Sequence, residues 1–298
     1  MDVVVFGAGS LGSLVGGLLA RVHDVTLVAR DPHASRVREA GLRISGAVDA
    51  DTAPDATTDG TGLAADLALV TVKAFDTADA AEALATGEFD AVLSLQNGLT
   101  EEVLDEKLDA PVLAGTATYG ARLLEPGHVE CTGVGRIVLG SLDVGTDPLA
   151  ERVGRAFRVA GIETLVATDM PRRRWTKLAV NAGINAVTAL ARVENGALAD
   201  GDAADVARSA TRETARVARA EGVSVPTRRA LATLDRVVDA TAENRSSMLQ
   251  DVDAGRRTEV DAISGEVVAR AERHRLDVPT NRTLAALLRA WETERGLR

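Results

Sequence analysis

The run Val3-Val4-Val5-Phe6 passes without a break into Gly7-Ala8-Gly9-Ser10-Leu11-Gly12, a GxGxxG spacing, and then into a helical stretch over 11–21. An apolar run of strand length, a glycine turn and a helix in direct succession leave few folds open. Each glycine has its own task in such a turn. Gly7 lets the chain reverse tightly, Gly9 lets a pyrophosphate approach the backbone, and Gly12 lets helix pack closely on strand. The phosphates then lie over the helix N-terminus, where unpaired N–H groups collect. The spacing therefore predicts a dinucleotide site built from Gly7, Ala8, Gly9, Ser10, Leu11 and Gly12.

Further strands follow at 25–29, 67–72 (LALVTV) and 91–95 (AVLSL), separated by helical patterns. Asp31-Pro32 reads as an N-cap with a first-turn proline, and Asp76 as the cap of the alanine-rich helix after it. Alternation of this kind predicts an α/β fold with a doubly wound, mostly parallel sheet of Rossmann type. Residues 112–140 carry Gly and Pro turns and read as an antiparallel extension. A helix over 147–159 and a strand over 163–166 complete this half. After Thr168 no strand pattern remains, and Asp169-Met170-Pro171 is a helix start. The expected organisation is residues 1–168 as the nucleotide-binding domain and 169–298 as an all-helical domain.

Composition narrows the function. Acids outnumber bases 44 to 34 for a net charge of −10, which disfavours nucleic acid or an anionic membrane as partner. One cysteine, Cys131, leaves no internal disulfide and no cysteine-based metal site, and the four histidines show no metal-ligand spacing. No apolar stretch is long enough to span a bilayer, and Met1-Asp2 leads straight into the first strand without a leader pattern, so the expected location is cytoplasmic. Only Lys73, Lys107 and Lys177 are lysines; the other 31 of the 34 bases are arginines. Excess acid with scarce lysine is a halophile-like composition, although GC-rich coding would produce the same bias. Either way, each lysine is singled out as a place where arginine does not serve.

The strand 25–29 ends at Arg30, where NAD sites usually carry an acid for the ribose 2′-hydroxyl. A guanidinium there suits a 2′-phosphate, with Lys73 in reach of the same group; pairing with Asp31 is the plainer role. Gln96-Asn97-Gly98 follows a strand at its carboxyl end, where Asn97 can serve a nicotinamide ribose or a substrate, or simply cap a turn. Lys177, Asn181 and Asn185 recur at i, i+4 and i+8 on an otherwise apolar helix. Such a stripe is costly unless partnered, and it reads as one wall of a cleft or as a polar seam between helices. Ser246 and Ser247 read locally as helix caps, Glu259 as the first turn of a helix capped by Thr258, and Arg172-Arg173-Arg174 as a solvated helix start.

GAGSLG, LVTVKAFD, SLQNGL, GTATYGAR, WTKLAVNAGINAVTA, ENGAL and SSMLQDVDAGRRTEVDAISG occur in order along almost the whole chain. Together they resemble the ketopantoate reductase (2-dehydropantoate 2-reductase) family. The resemblance implies NADPH-dependent reduction of a small 2-keto acid, ketopantoate, to D-pantoate on the route to coenzyme A. It assigns Gly7 to Gly12, Arg30, Lys73, Asn97, Ala121 and Glu259 to the cofactor. Lys177 is implied as proton donor, with Glu259 as the acid that helps place substrate and cofactor. Asn97, Asn181, Asn185, Asn195, Asn244, Arg245, Ser246 and Ser247 are implied for substrate. A homodimer through the helical half is a further family expectation. Two other readings stay open: a paralogous reductase of another 2-keto acid, and a non-catalytic NADP-binding regulator.

Overall fold

Internal contacts divide the chain into two units, residues 1–96 with 100–170 and residues 97–99 with 171–298. The structure, a computed structural model, describes residues 1–298. The first unit contains twelve strands: β1 (Asp2–Phe6), β2 (Asp24–Val28), β3 (Leu42–Gly46), β4 (Ala50–Thr52), β5 (Asp55–Thr57), β6 (Ala64–Val70), β7 (Glu88–Ser94), β8 (Val112–Ala117), β9 (Gly120–Glu125), β10 (His128–Gly133), β11 (Ile137–Ser141) and β12 (Thr164–Val166). Its helices are α1 (Ser10–Leu19), α2 (His33–Ala40), α3 (Thr77–Leu84), α4 (Glu101–Lys107) and α5 (Pro148–Val159).

Eight strands form the main sheet in the order β12-β11-β8-β7-β6-β1-β2-β5. From β5 to β8 all pairings are parallel, and β11 joins β8 antiparallel. Strand order reverses at β1, which lies between β2 and β6 and carries the glycine turn at its carboxyl end. That is the topological switch point where open α/β sheets hold ligands.

The 112–140 segment divides between two sheets. β8 continues the main sheet, while β9 and β10 pair with each other and, through β10, with β3 and β4 in a second sheet of order β4-β3-β10-β9. The short strands β3, β4 and β5 carry no sequence pattern strong enough to be read: β3 and β5 take partners from elsewhere in the chain, and β4 pairs only with β3. Helix α1 is buried on all sides from Gly12 to Leu19, since both sheets close on it. A Cβ at Gly16 would meet Leu27 at 2.6 Å, and one at Gly17 would meet Leu42 at 2.8 Å. Adjacent glycines thus admit one sheet on each face. His33 ties this layer together: its ring contacts Ser13 Oγ at 2.9 Å and accepts the Gly127 N–H at 3.0 Å. Burial pushes its imidazole below the usual histidine range.

Two capping expectations change. The N-cap of α2 is Pro32, and Asp31 accepts instead from the Ser35 N–H and hydroxyl, one turn in. Asp76 occupies the N-cap of α3 without bonding its amides, because its carboxylate is taken by Arg30. Asp147 does cap α5, accepting from the N–H groups of Leu149 and Ala150.

The second unit is helical: α6 (Met170–Ala191), α7 (Gly201–Ala220), α8 (Thr227–Ala240), α9 (Ser247–Asp253), α10 (Glu266–Arg273) and α11 (Pro279–Glu294). With aromatics at 2%, its core is made mostly of Ala, Val and Leu around α6. Small side chains bring helices close, and Thr211 on α7 donates to the Ala179 carbonyl of α6 at 3.1 Å. The start of α6 is not solvated: Arg174 is 8% exposed, and Trp175 beside it lies beneath the guanidinium of Arg270. No helix is long and apolar enough to cross a membrane.

Like-charge repulsion at a net charge of −10 opposes this fold when screening is weak. Raising KCl from about 0.15 M to about 1 M shortens the screening length from about 8 Å to about 3 Å. The melting temperature is expected to rise across that range; a flat profile would leave coding bias as the account of the composition.

Candidate active site

The glycine turn is held at the switch point by its neighbours. The Gly7 and Ala8 N–H groups both donate to the Val28 carbonyl at the end of β2, at 3.1 and 3.0 Å. From the end of β6, the Thr71 hydroxyl donates to the Gly7 carbonyl at 2.9 Å. Thr71 carries only a modest signal in the sequence, one hydroxyl in the run LVTV. Gly7 has φ +93°, a conformation that glycine adopts without strain, and a Cβ there would lie 2.5 Å from the Val72 nitrogen. A Cβ at Gly12 would meet the Gly7 carbonyl and Thr71 Oγ1, each at 2.4 Å. At Gly9 a Cβ would meet only the Gly7 carbonyl oxygen, at 3.9 Å.

Helix α1 therefore begins beneath an open face, with no side-chain cap and no acid in its first turn. Those features fit a bound pyrophosphate. The Ser10 hydroxyl accepts the Leu123 N–H at 3.0 Å, which sets β9, and Ala121 two residues back on it, beside this helix end.

Arg30 does not pair with Asp31. It meets Asp76 at 3.2 Å, with its own side chain 90% exposed. Asp76 ends the short 3-10 turn that Lys73 immediately precedes, so the two bases singled out for a 2′-phosphate belong to one loop pair. Lys107, by contrast, forms an exposed pair with Glu82 at 2.9 Å. Arginine would serve equally in that pair, so the scarcity of lysine carries no message at Lys107.

In the second unit, α6 is continuous through Lys177, Asn181 and Asn185, which recur along one face. Lys177 and Asn181 are half-buried, and Asn185 is 7% exposed. Asn181 Nδ2 reaches Asn97 Oδ1 at 3.4 Å, and Asn97 Nδ2 donates to Glu259 Oε2 at 3.0 Å. Three residues that stand far apart in the chain thus form one hydrogen-bonded series. The neighbouring Gln96 goes elsewhere, donating to the Val72 carbonyl and to Thr77.

Asn185, Ser247, Met248, Asp251, Glu259 and Ile263 line a small recess. Two of them, Met248 and Asp251, were not singled out in the sequence. Asp251 is 3% exposed and holds Arg256 at 3.0 Å. Only Ser246 caps α9, accepting the Leu249 N–H, and its hydroxyl also bonds Thr188 at 2.7 Å; Ser247 is the first residue of the helix and exposed. Asn195 donates to Thr241 at 2.9 Å, and its N–H meets the Asn244 carbonyl, while Arg245 pairs with Asp253. Glu259 does not open an α-helix as expected. It precedes a π-helical turn, Asp261–Gly265, and the Thr258 hydroxyl both accepts the Val260 N–H at 3.3 Å and donates to Glu292 on α11.

Comparison with known proteins agrees over the full chain. A family model described as ketopantoate reductase PanE/ApbA matches residues 3–144, and its C-terminal companion matches residues 169–292. The 2-dehydropantoate 2-reductase of Halobacterium salinarum is 46% identical across 97% of this chain and 98% of its own. That of Archaeoglobus fulgidus is 39% identical, with 98% of each chain covered. A solved PanE/ApbA family ketopantoate reductase from Ralstonia eutropha superposes with a TM-score of 0.90 at 33% identity, covering 99% of this chain and all of that one. A D-mandelate dehydrogenase solved with NADH shares the fold, with a TM-score of 0.93 at 21% identity over the whole of both chains.

Proposed function

The chain belongs to the ketopantoate reductase family of pyridine-nucleotide-dependent oxidoreductases, and from that premise we propose that it reduces 2-dehydropantoate to D-pantoate with NADPH for pantothenate synthesis. The observation that carries the reading is the series Asn181–Asn97–Glu259 next to a recess lined by Asn185 and Ser247. Amides and a carboxylate held in this way can bind a keto acid's oxygens and orient its carbonyl.

In this reading residues 1–168 bind the cofactor and 169–298 the substrate. The bound nicotinamide supplies the hydride that reaches C2 of the substrate. Lys177, as ammonium, stabilises the negative charge that grows on the carbonyl oxygen and gives it a proton, completing the alcohol. Glu259 accepts a hydrogen bond from the new hydroxyl, and Ser247 donates to the substrate carboxylate. Asn181, Asn185 and Asn195 form the polar wall, and Asn244, Arg245 and Ser246 shape the loop before Ser247. Gly7 to Gly12 hold the pyrophosphate, with Ala121 beside them. The enzyme works in the cytoplasm, as a homodimer through its helical half.

Turnover of NADPH with ketopantoate, set against other branched 2-keto acids, tests the activity. Preference for another keto acid would identify a paralogous reductase, and tight NADPH binding without turnover would identify a regulator.

Cofactor choice rests on Arg30 and Lys73. Arg30→Ala is expected to raise the KM for NADPH about ten- to a hundredfold, since a charge-assisted contact contributes about 1.5–3 kcal/mol. The KM for NADH should barely move, having no 2′-phosphate to lose. Equal losses with both cofactors would make Arg30 a structural partner of Asp76 instead.

A further inference from the structure

Glu292 on α11 is fully buried, at 0% exposure, and its carboxylate is fully engaged. Oε1 accepts both the N–H and the hydroxyl of Thr258, at 2.7 and 2.6 Å. Oε2 accepts from Arg298 at 2.9 Å. The same guanidinium reaches Asp261 at 2.8 Å, and Arg289 Nε meets the other oxygen of Asp261, also at 2.8 Å. Burial works to raise the Asp261 carboxyl, but the hydrogen bonds from these two arginines outweigh it and hold the group below the usual range.

Thr258 and Asp261 flank Glu259. Thr258 lies one residue before it, and Asp261 opens the π-helical turn two residues after it. Each flank is thus fastened to the last helix and the segment after it. Glu259 projects from between the two anchors, 7% exposed, to meet Asn97. A buried ion network is a poor way to gain stability, because apolar residues of similar volume often do as well or better. What it gives is a tether: two donors of one residue, the Thr258 N–H and hydroxyl, enter one carboxylate oxygen. π-helical turns also recur at functional sites, where they re-aim a side chain.

We propose that Glu292, with Arg298 and Arg289, is a positioning residue for Glu259, so that α11 sets the aim of the carboxylate that meets substrate. The inference rests on the assignment of Glu259 to the active site. A double-mutant cycle in steady-state kinetics tests it, using wild type, Glu259→Gln, Glu292→Gln and the double variant, each checked by thermal unfolding.

Glu292→Gln is expected to lower kcat for ketopantoate by about ten- to a hundredfold, the cost of a small misplacement of a reacting-site group. In the Glu259→Gln background the same substitution should cost nothing further, in kcat or in KM for NADPH. Equal losses in both backgrounds, or full activity of Glu292→Gln while Glu259→Gln is impaired, would overturn the proposal and leave Glu259 in the site. An unimpaired Glu259→Gln would remove Glu259 from the site, and the proposal with it. Arg298 has a partly exposed side chain and tolerates change better. If Glu292→Gln does not fold, Arg298→Gln carries the same cycle: a smaller loss that vanishes in the Glu259→Gln background supports the proposal, and full activity overturns it.

Discussion

Lys177→Arg is expected to fold, to bind NADPH as the native protein does, and to lose about 10²–10⁴ in kcat, the usual scale of general acid catalysis. The substitution keeps the positive charge, and the half-buried position on α6 accepts a long side chain. What it removes is a proton that can be released. A lysine in a partly desolvated site can give up its proton and regain it, whereas arginine, far more basic, stays charged throughout. Lys177→Ala should lose the same factor and, in addition, the stabilisation of the oxyanion. Steady-state kinetics of both variants, with NADPH binding measured separately by fluorescence, separates the two contributions. Near-native turnover by Lys177→Arg would sink the general-acid role and reduce Lys177 to an electrostatic anchor.

A second large effect is expected at the glycine turn, where two substitutions of equal size should part company. Gly9→Leu should leave the melting temperature nearly unchanged, because φ at Gly9 is −82° and a Cβ meets nothing closer than 3.9 Å. Its side chain projects over the N-terminus of α1 and would keep a pyrophosphate off the amides there. With about 1.5–3 kcal/mol lost for each charge-assisted hydrogen bond, two such bonds correspond to a fall in NADPH affinity of about a hundredfold or more. Gly12→Leu should fail differently. Its Cβ would lie 2.4 Å from the Gly7 carbonyl oxygen and from Thr71 Oγ1. Backbone and a bonded hydroxyl cannot both withdraw, so strand β1 and helix α1 must separate and the first unit should lose cooperative unfolding. Calorimetry with and without NADPH distinguishes the two failures. A destabilised Gly9→Leu, or a stable Gly12→Leu that merely binds poorly, would contradict the division of labour in this turn.

Much of this protein was determined by local sequence. A run of β-branched residues, a glycine spacing and helical periodicity act over a few residues each, and they specify β1, α1, the parallel sheet and the helical second half without reference to anything distant. The stripe Lys177–Asn181–Asn185 belongs to the same class, since i, i+4 and i+8 share a face on any helix. The reductase motifs are likewise contiguous words.

Other features were decided only by tertiary structure. The strands β3 and β5 exist because β10 and β2 offer them edges, and β4 adds to β3 in turn. Asp76 leaves its capping role because Arg30, 46 residues away in the chain, takes the carboxylate. Arg174 is buried by packing rather than solvated, and Thr258 is a tether as well as a cap because Glu292 lies against it. Nothing near Glu259 in the sequence marks it as chemical. Its meaning comes from Asn97, 162 residues away, and such a pair can be selected only when the whole chain has folded, since no local pattern pays the entropy of closing so long a loop.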